Sequence, residues 1–256
     1  MIGARDLVSG YGGRDVIHVD ELTLPDGQVT CIVGENGCGK STLLKTLAGL
    51  LAYRGSISLG GEELKGLSHR ERARRLGYLP QRLAQPAMDV GTLVLHGRFS
   101  RMGVSKVPGD ADRAAITRAI GLCDVSMLAD RLLTDLSGGE LQRAYLAMVV
   151  AQEARTLLLD EPTAHMDVAR RIEVANILRQ LADAGTGVVL TTHDLPECLS
   201  VSDEVVLMAA GGISDRGTPA ELLARPGAFG RAMGVFPRKV SDTDAIFPYI
   251  LVRGNR

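Results

Sequence analysis

The sequence lacks any apolar run long enough to cross a lipid bilayer. Its strongest run, Ala144–Ala151, is short and contains Tyr145, whereas a membrane-spanning helix needs about 18 or more apolar residues. Nothing at the amino terminus resembles a signal peptide. We therefore expect that any activity connected with a membrane depends on another chain.

An excess of one charge and a paired arrangement of cysteines are also missing. Lysine and arginine number 29 against 30 acidic residues, so electrostatics predicts no nucleic-acid partner. The four cysteines show no CxxC spacing, which favours a reducing cytoplasm; they are Cys31, Cys38, Cys123 and Cys198. Internal repeats and long linkers are absent as well, and 256 residues suffice for one large α/β domain.

What is present is an alternation of short apolar runs with helix-like segments. Runs rich in β-branched residues and leucine, without polar alternation, predict strands covered on both faces. These runs are Val29–Val33, Thr156–Leu159, Val188–Thr192 and Val205–Met208. The alternation predicts an α/β fold with a mostly parallel sheet wrapped by helices. Ligands bind such sheets beyond the carboxyl ends of the strands.

The chain divides into a core, an inserted helical subdomain and a tail. We assign residues 1–83 and 152–228 to one core domain, and residues 84–151, with a loop around Gly103–Gly109, to the helical subdomain. Residues 229–256 form a carboxyl-terminal tail in which Ala245–Val252 has the pattern of one edge strand. Capping patterns predict helix starts at Ser68, Asp194 and Thr218.

A glycine-rich segment directly follows the first apolar run. Residues 34–41 match the phosphate-binding pattern GxxxxGK[ST], and the helical run Thr42–Leu50 comes next. Glycines let backbone N–H groups converge on a polyphosphate, and the helix amino terminus adds a favourable dipole. We expect Lys40 to contact the β- and γ-phosphates and Ser41 to ligate Mg²⁺. The predicted phosphate-binding residues are Gly34, Asn36, Gly37, Cys38, Gly39, Lys40, Ser41 and Thr42. The alternative is a glycine-rich turn without a ligand.

The run Thr156–Leu159 ends in two carboxylates, Asp160 and Glu161. Adjacent side chains on a strand point to opposite faces, so the two carboxylates are expected to have separate roles. Asp160 is predicted to hold Mg²⁺ through its water shell, and Glu161 to polarise the attacking water as a general base. An Asp-Glu pair alone would instead indicate an acidic strand end that caps the next turn.

Two further residues are candidate functional residues only in combination with these motifs. His193 follows the run Val188–Thr192 and is a candidate to bond the γ-phosphate and orient the attacking water. Gln81 follows the segment Gly77–Pro80 and is a second candidate residue of this site. By themselves they would be an ordinary capping or core histidine and a loop glutamine.

A second glycine-containing helix start occurs at Leu136–Glu140. The Ser137 hydroxyl and the Gly139 N–H can bind phosphate by the same physics as the first glycine-rich segment. One nucleotide would then have two half-sites. The alternative is a plain serine–glycine helix cap.

In this order, from Tyr11 to His193, the motifs resemble those of ATPase subunits of ABC transporters. The resemblance implies a P-loop NTPase (RecA-like) core with an antiparallel β part near the amino terminus, and ATP hydrolysis with ATP and Mg²⁺ as cofactors. It also implies a homodimer that sandwiches ATP between the P-loop of one subunit and the signature of the other. The signature residues are Ser137, Gly138 and Gly139.

The resemblance also implies roles for single residues. Tyr11 resembles the aromatic residue that stacks on adenine, Gln81 the Q-loop glutamine that also reaches Mg²⁺, and Asp167 the D-loop aspartate. His193 resembles the switch histidine. For Tyr11 the alternative is a plain turn tyrosine. The chain departs from the family pattern at Glu140, where glutamine is usual, and in the D-loop Ala164-His165-Met166-Asp167.

Three segments are most similar to ATPases of importers for iron-siderophore, haem or cobalamin: Leu67–Gln81, Asp160–His165 and Gly217–Glu221. This similarity implies a subunit at the cytoplasmic face of the cell membrane, with separate permease subunits and an extracytoplasmic substrate-binding protein. The arginines at positions 70, 72, 74 and 75 indicate a solvated helix face, with contact to a permease or anionic lipid as the alternative.

Two other classes of protein stay open from the sequence. A non-transport ABC ATPase acting on DNA or in cofactor assembly shares the catalytic motifs, but it often carries a coiled-coil insertion or tandem cassettes, which are absent here. A regulatory module that binds nucleotide without hydrolysing it would tend to lack the residues found here as Glu161 or His193.

Overall fold

A computed structural model describes residues 1–103, 107–164, 166–225, 227–239 and 249–253. The strands are β1 (Ile2–Tyr11), β2 (Arg14–Leu24), β3 (Val29–Gly34), β4 (Tyr53–Leu59), β5 (Glu62–Glu63), β6 (Leu76–Leu79), β7 (Thr156–Asp160), β8 (Gly187–Thr191), β9 (Glu204–Ala209), β10 (Gly212–Gly217), β11 (Val235–Lys239) and β12 (Tyr249–Arg253). The α-helices are α1 (Lys40–Leu47), α2 (His69–Arg75), α3 (Val90–His96), α4 (Asp110–Leu122), α5 (Gly138–Ala151), α6 (Val168–Asp183), α7 (Leu195–Val201), α8 (Pro219–Leu223) and α9 (Gly227–Met233). Short 3₁₀ helices occur at Leu64–Gly66, Ser126–Leu128 and Leu133–Asp135.

The central sheet has the strand order β10-β9-β3-β8-β7-β6, and every pair is parallel except β9–β10. All residues of β3, β7 and β8 are buried, as expected for apolar strands covered on both faces. The predicted α/β fold with a mostly parallel sheet is therefore confirmed. The observed strands differ from the predicted runs by one residue at one or both ends. Gly34, Asp160 and Thr191 are the last residues of three neighbouring strands, β3, β7 and β8, and therefore lie at the same edge of the sheet.

A second sheet, with the order β2-β1-β4-β5, is antiparallel and confirms the β part predicted near the amino terminus. Helix α1 lies between the two sheets. Its Leu43 and Leu44 share one buried cluster with Leu7 of β1 and Leu158 of β7. Burial on both sides holds α1 in place, and its first turn directly follows the glycines of the glycine-rich segment.

Residues 84–151 contain α3, α4 and α5, and the β structure described there is one isolated bridge between Asp89 and Leu132. The nearly buried Arg98 ties these helices together, because its guanidinium pairs with Asp112 of α4 (2.9 Å) and Glu153 beyond α5 (2.7 Å). Residues 104–106 of the predicted loop around Gly103–Gly109 lie outside the described residues. The division into core, helical subdomain and tail stays a prediction.

The three predicted helix starts are confirmed. Ser68 and Thr218 each form a capping box with the glutamate three residues later, and Asp194 caps α7. The arginines that follow Ser68 lie on a helix with no buried residue, as predicted for a solvated face, and Arg70 and Arg74 are exposed. They donate to backbone carbonyls of neighbouring segments, which anchors α2 to the protein; the donors are Arg70, Arg72, Arg74 and Arg75.

The edge strand predicted in the tail is found in part as β12. Residues 245–248 lie outside the described residues, and β12 pairs antiparallel with β11 in a separate two-stranded sheet, in which each strand is an edge. Helix α9 spans the predicted boundary after residue 228, and its Phe229 is fully buried in the main core cluster. The beginning of the assigned tail is thus packed into the core, because an aromatic side chain there gains from burial.

Candidate functional site

The glycine-rich segment forms a tight loop between β3 and α1, which we call the P-loop (residues 34–41). Gly37 and Gly39 have φ values of 81° and 107°, a region that side chains disfavour. A Cβ atom on Gly34 would lie 2.3 Å from the Met208 carbonyl oxygen. Only glycine therefore allows this close path, and α1 begins at once behind it.

The Lys40 ammonium lies folded over the P-loop. Its side chain is buried with the residue 7% exposed, and Nζ donates to the carbonyl oxygens of Gly34 (2.8 Å) and Glu35 (3.1 Å). A positive charge held by backbone carbonyls is only partly compensated. Phosphate oxygens entering the loop can compensate this charge better than neutral carbonyl groups.

Asp160 and Ser41 lie side by side although they come from opposite parts of the chain. Asp160 is 1% exposed, and its Oδ1 accepts hydrogen bonds from Ser41 Oγ (3.0 Å) and Thr191 Oγ1 (2.7 Å). A hydroxyl and a carboxylate are hard oxygen ligands of the kind that Mg²⁺ prefers. The residues present therefore fit a magnesium ion next to the P-loop.

Thr191 was missed by the sequence analysis. It ends β8, its hydroxyl donates to Asp160, and the same oxygen accepts the backbone N–H of Glu161 (3.0 Å). One side chain thus holds both acidic residues. A polar residue at the end of an otherwise apolar strand was the available signal.

Glu161 follows β7 in the left-handed region of backbone conformation, with φ 53°. A non-glycine residue in this region is strained and depends on surrounding contacts. The Thr191 hydroxyl holds its N–H, and Gln142 Nε2 donates to its carbonyl oxygen (3.4 Å). Glu161 lines the cavity in front of the P-loop, and its Oε2 lies 3.6 Å from His193 Nδ1.

A cavity of about 530 Å³ brings most of the predicted residues together. It is lined by Val16, Asn36, Gly37, Gly39, Lys40, Ser41, Thr42, Gln81, Glu161 and His193. Gly34, Cys38 and Asp160 lie beneath this lining, in the P-loop and at the end of β7. Val16 had not been predicted, because an apolar residue within a strand carries no sequence signal of ligand contact.

Tyr11 and the signature residues do not line this cavity. Tyr11 ends β1, is 47% exposed, and has Lys45 Nζ at 5.9 Å from its ring centroid. The signature starts α5 elsewhere on the surface. Gly138 and Gly139 form its first helical positions behind the cap residue Ser137.

The cap of α5 engages the signature serine within the chain. Ser137 Oγ donates to Glu140 Oε2 (2.7 Å), and the Ser137 N–H donates to the same oxygen (2.8 Å). These hydrogen bonds hold the pKa of Glu140 below its usual range, so the carboxylate is charged. Arg131 lies 3.4 Å from the other carboxylate oxygen. The departure from the usual glutamine thus places a negative charge beside the serine.

Asp167 is the N-cap of α6, where its Oδ1 accepts the N–H of Arg170 (2.9 Å). It does not line the cavity in front of the P-loop. His165 of the same predicted D-loop lies outside the described residues.

A second cavity of about 290 Å³ adjoins the first and shares Gln81, Glu161 and His193 with it. Glu197, which the sequence analysis missed, also lines this cavity and is 2% exposed. Burial raises its pKa to about 7, although a hydrogen bond from Thr163 Oγ1 (3.1 Å) opposes the shift. An acidic residue in the first turn of a capped helix is common, so its position gave no sequence signal of function.

The family model described as ABC transporter matches residues 17–164, more than half of the chain. The chain belongs to the ABC transporter family. Within that family it is an ATP-binding subunit that hydrolyses ATP, and the predicted resemblance is confirmed. None of the helices described in this ABC ATPase is both long and apolar enough to span a membrane.

Curated relatives match most of the ABC ATPase. The achromobactin transport ATP-binding protein of Dickeya dadantii (strain 3937) is 37% identical over 87% of this chain and 84% of its own length. The ferric enterobactin transport ATP-binding protein of Escherichia coli (strain K12) is 36% identical over 86% and 82%. A hemin import ATP-binding protein of Chelativorans sp. (strain BNC1) is 38% identical over 87% of both.

Solved structures share the fold. An ATP-binding subunit of an ABC transporter has a TM-score of 0.77 at 21% identity, over 91% of this chain and 95% of the other. A dimeric bacterial ABC transporter cassette has a TM-score of 0.77 at 21% identity, over 86% and 99%. The α/β P-loop NTPase class predicted for the ABC ATPase is therefore confirmed.

Proposed function

We propose that this chain is the ATP-hydrolysing subunit of an importer for iron chelates, either iron-siderophore complexes or haem, with cobalamin as a related cargo. The curated relatives described above are named for achromobactin, ferric enterobactin and hemin. The cargo itself would be bound by other subunits. These are permease subunits in the membrane and an extracytoplasmic substrate-binding protein, and the ATPase would lie at the cytoplasmic face of the membrane.

The observation that carries the ATPase part of this proposal is the grouping of Lys40, Ser41, Glu161 and His193 around one cavity beside Asp160. The triphosphate would lie in the P-loop, with its γ-phosphate toward Lys40 and His193. Mg²⁺, when bound, supplies positive charge that offsets the charge on the phosphate oxygens. Ser41 and Asp160 would hold this ion, and Gln81 would reach it from the cavity wall.

Glu161 would act as the general base, because it lines the cavity and its backbone is held by hydrogen bonds with Thr191 and Gln142. A base of this kind removes the proton of the attacking water as the water approaches the γ-phosphorus atom. His193, 3.6 Å from Glu161, would bond the γ-phosphate and orient that water.

The exposed signature supports a homodimer. Ser137, Gly138 and Gly139 lie outside the cavity of their own chain, so they would serve the nucleotide of a second copy together with Asp167. Tyr11 would stack on the adenine. ATP binding would then join the two subunits, and hydrolysis would release them, which would drive the shape change of the permease.

Glu161→Gln tests this function directly. The variant should keep ATP binding, lose turnover by about 10²–10⁴-fold as expected for a general base, and elute as a dimer on sizing columns with ATP and Mg²⁺. Phosphate release and column elution measure the two effects. Unchanged turnover would refute the assignment of Glu161. Co-purification of the wild-type chain with a polytopic permease, and the cargo which that permease imports, test the transport part.

A further inference from the structure

Arg171 connects two segments of the site that lie far apart in the sequence. In the first turn of α6 its Nε donates to the carbonyl oxygen of Met166 (3.1 Å), and its Nη1 pairs with Asp194 Oδ2 (2.7 Å). Met166 directly precedes Asp167, and Asp194 directly follows His193. One guanidinium group therefore spans from the D-loop to the histidine segment.

Further hydrogen bonds hold the Asp194 end of this connection in place. The other carboxylate oxygen of Asp194 accepts the N–H of Glu197 (3.1 Å) and caps α7. The Glu197 carboxylate accepts a hydrogen bond from Thr163 (3.1 Å), in the turn that follows Glu161. A planar guanidinium has donors in a fixed fork. The two segments thus have two separate links, and Arg171 supplies the charged one.

We propose that Arg171 is a positioning residue for ATP hydrolysis, which couples the position of Asp167 to that of His193. This inference rests on the roles proposed above for Glu161, His193 and Asp167. When a second subunit contacts Asp167, Arg171 would pass the movement to the segment of His193, in addition to the link through Glu197 and Thr163. Misplacement of a catalytic group by about 1 Å can cost about 10²-fold in rate, so loss of Arg171 should slow the chemical step.

Arg179 provides a matched control in the same helix. It too makes two polar contacts, with Asp183 (2.9 Å) and Asp203 (2.7 Å). Its side chain is 32% exposed, against 33% for Arg171. Asp203 accepts the N–H of Val29 at the start of β3, which is the sheet edge opposite to the P-loop. Loss of Arg179 should therefore affect stability alone.

The experiment compares Arg171→Ala, Arg171→Lys and Arg179→Ala in the full-length ATPase. For Arg171→Ala we expect kcat to fall about 10–100-fold while KM for ATP stays within about threefold, because no phosphate contact is lost. Arg171→Lys should lie between wild type and Arg171→Ala, since one ammonium keeps the charge but lacks the fork. Arg179→Ala should keep wild-type kcat with a similar loss in Tm.

Asp194→Asn completes a double-mutant cycle, because asparagine keeps the cap of α7 and removes the charge pair. The effects of Arg171→Ala and Asp194→Asn on kcat should not add. Additive effects, or equal kcat for Arg171→Ala and Arg179→Ala, would overturn the positioning role. A wild-type chain without ATPase activity, or a fully active Glu161→Gln variant, would instead overturn the proposed function, so the two failures are distinguishable.

Discussion

Helices α1 and α5 both begin at glycine-containing turns, yet their first turns have different surroundings. At α1 the P-loop surrounds a cavity and has Lys40 and Ser41 with Asp160 close by. At α5 the serine is engaged by Glu140 of its own helix, and the turn faces outward. The same physics of a helix amino terminus therefore acts at a cavity of its own chain in α1 and at the protein surface in α5, where we propose that it serves a second copy.

Among the substitutions that distinguish the functions of the two helix starts, Lys40→Ala is expected to have the largest effect. Removing the ammonium that lies over the P-loop should weaken ATP binding by about 10–100-fold, since hydrogen bonds to charged groups contribute about 1.5–3 kcal/mol. Titration with a fluorescent ATP analogue measures this loss. The control is Lys65→Ala, which removes an exposed lysine near Gly55. ATP affinity that matches wild type in Lys40→Ala would contradict the assignment of the P-loop.

A smaller effect, which lowers ATPase turnover but not ATP binding by a single chain, is expected for Ser137→Ala. A single chain should bind ATP as wild type does, but ATPase turnover should fall by about 10-fold or more, because a donor to the phosphate of the second subunit is missing. In the Glu161→Gln background the ATP-dependent dimer should no longer form on sizing columns. Ser68→Ala is the matched control, because it removes the same type of cap from α2. If Ser137→Ala and Ser68→Ala behave alike, α5 is only a capped helix.

The smallest effect is expected for Glu140→Gln. Its carboxylate lies 2.7 Å from the Ser137 hydroxyl and is kept charged, so it should repel a phosphate that approaches the signature. Exposed charges act weakly, so in the Glu161→Gln background dimerisation should need about two- to fivefold less ATP. Glu71→Gln in the capping box of α2 should leave this ATP requirement unchanged. A higher ATP requirement in Glu140→Gln would show that the carboxylate assists closure.

Contiguous sequence was enough to predict the P-loop. Its glycines, lysine and serine lie within eight residues between a buried strand and a helix, and the observed loop and the start of α1 follow that order. The parallel sheet was predictable for a similar reason, because strands buried on both faces are apolar throughout. The capping boxes at Ser68 and Thr218 were predictable from a spacing of three residues.

Contacts between distant segments were not predictable in this way. The pairing of Ser41 with Asp160 depends on β3 and β7 ending at one edge of the sheet. The roles of Thr191 and Glu197 depend on which turns lie beside them in the folded chain. Because a single threonine or glutamate forms no recognisable sequence motif, these roles could not be predicted. The pairing of β11 with β12 was missed because strand pairing is a tertiary choice that apolar composition does not specify.

The sequence by itself determined the kind of ligand and the chemistry: a polyphosphate loop, two carboxylates at a strand end and a second glycine-containing helix start. These three features depend on local backbone geometry, and residues that are neighbours in the sequence determine that geometry. The tertiary structure decided which of these groups face one cavity and which face outward, and it placed Arg171 between Met166 and Asp194. Such contacts arise because sheet order and helix packing bring together residues that the chain itself keeps far apart.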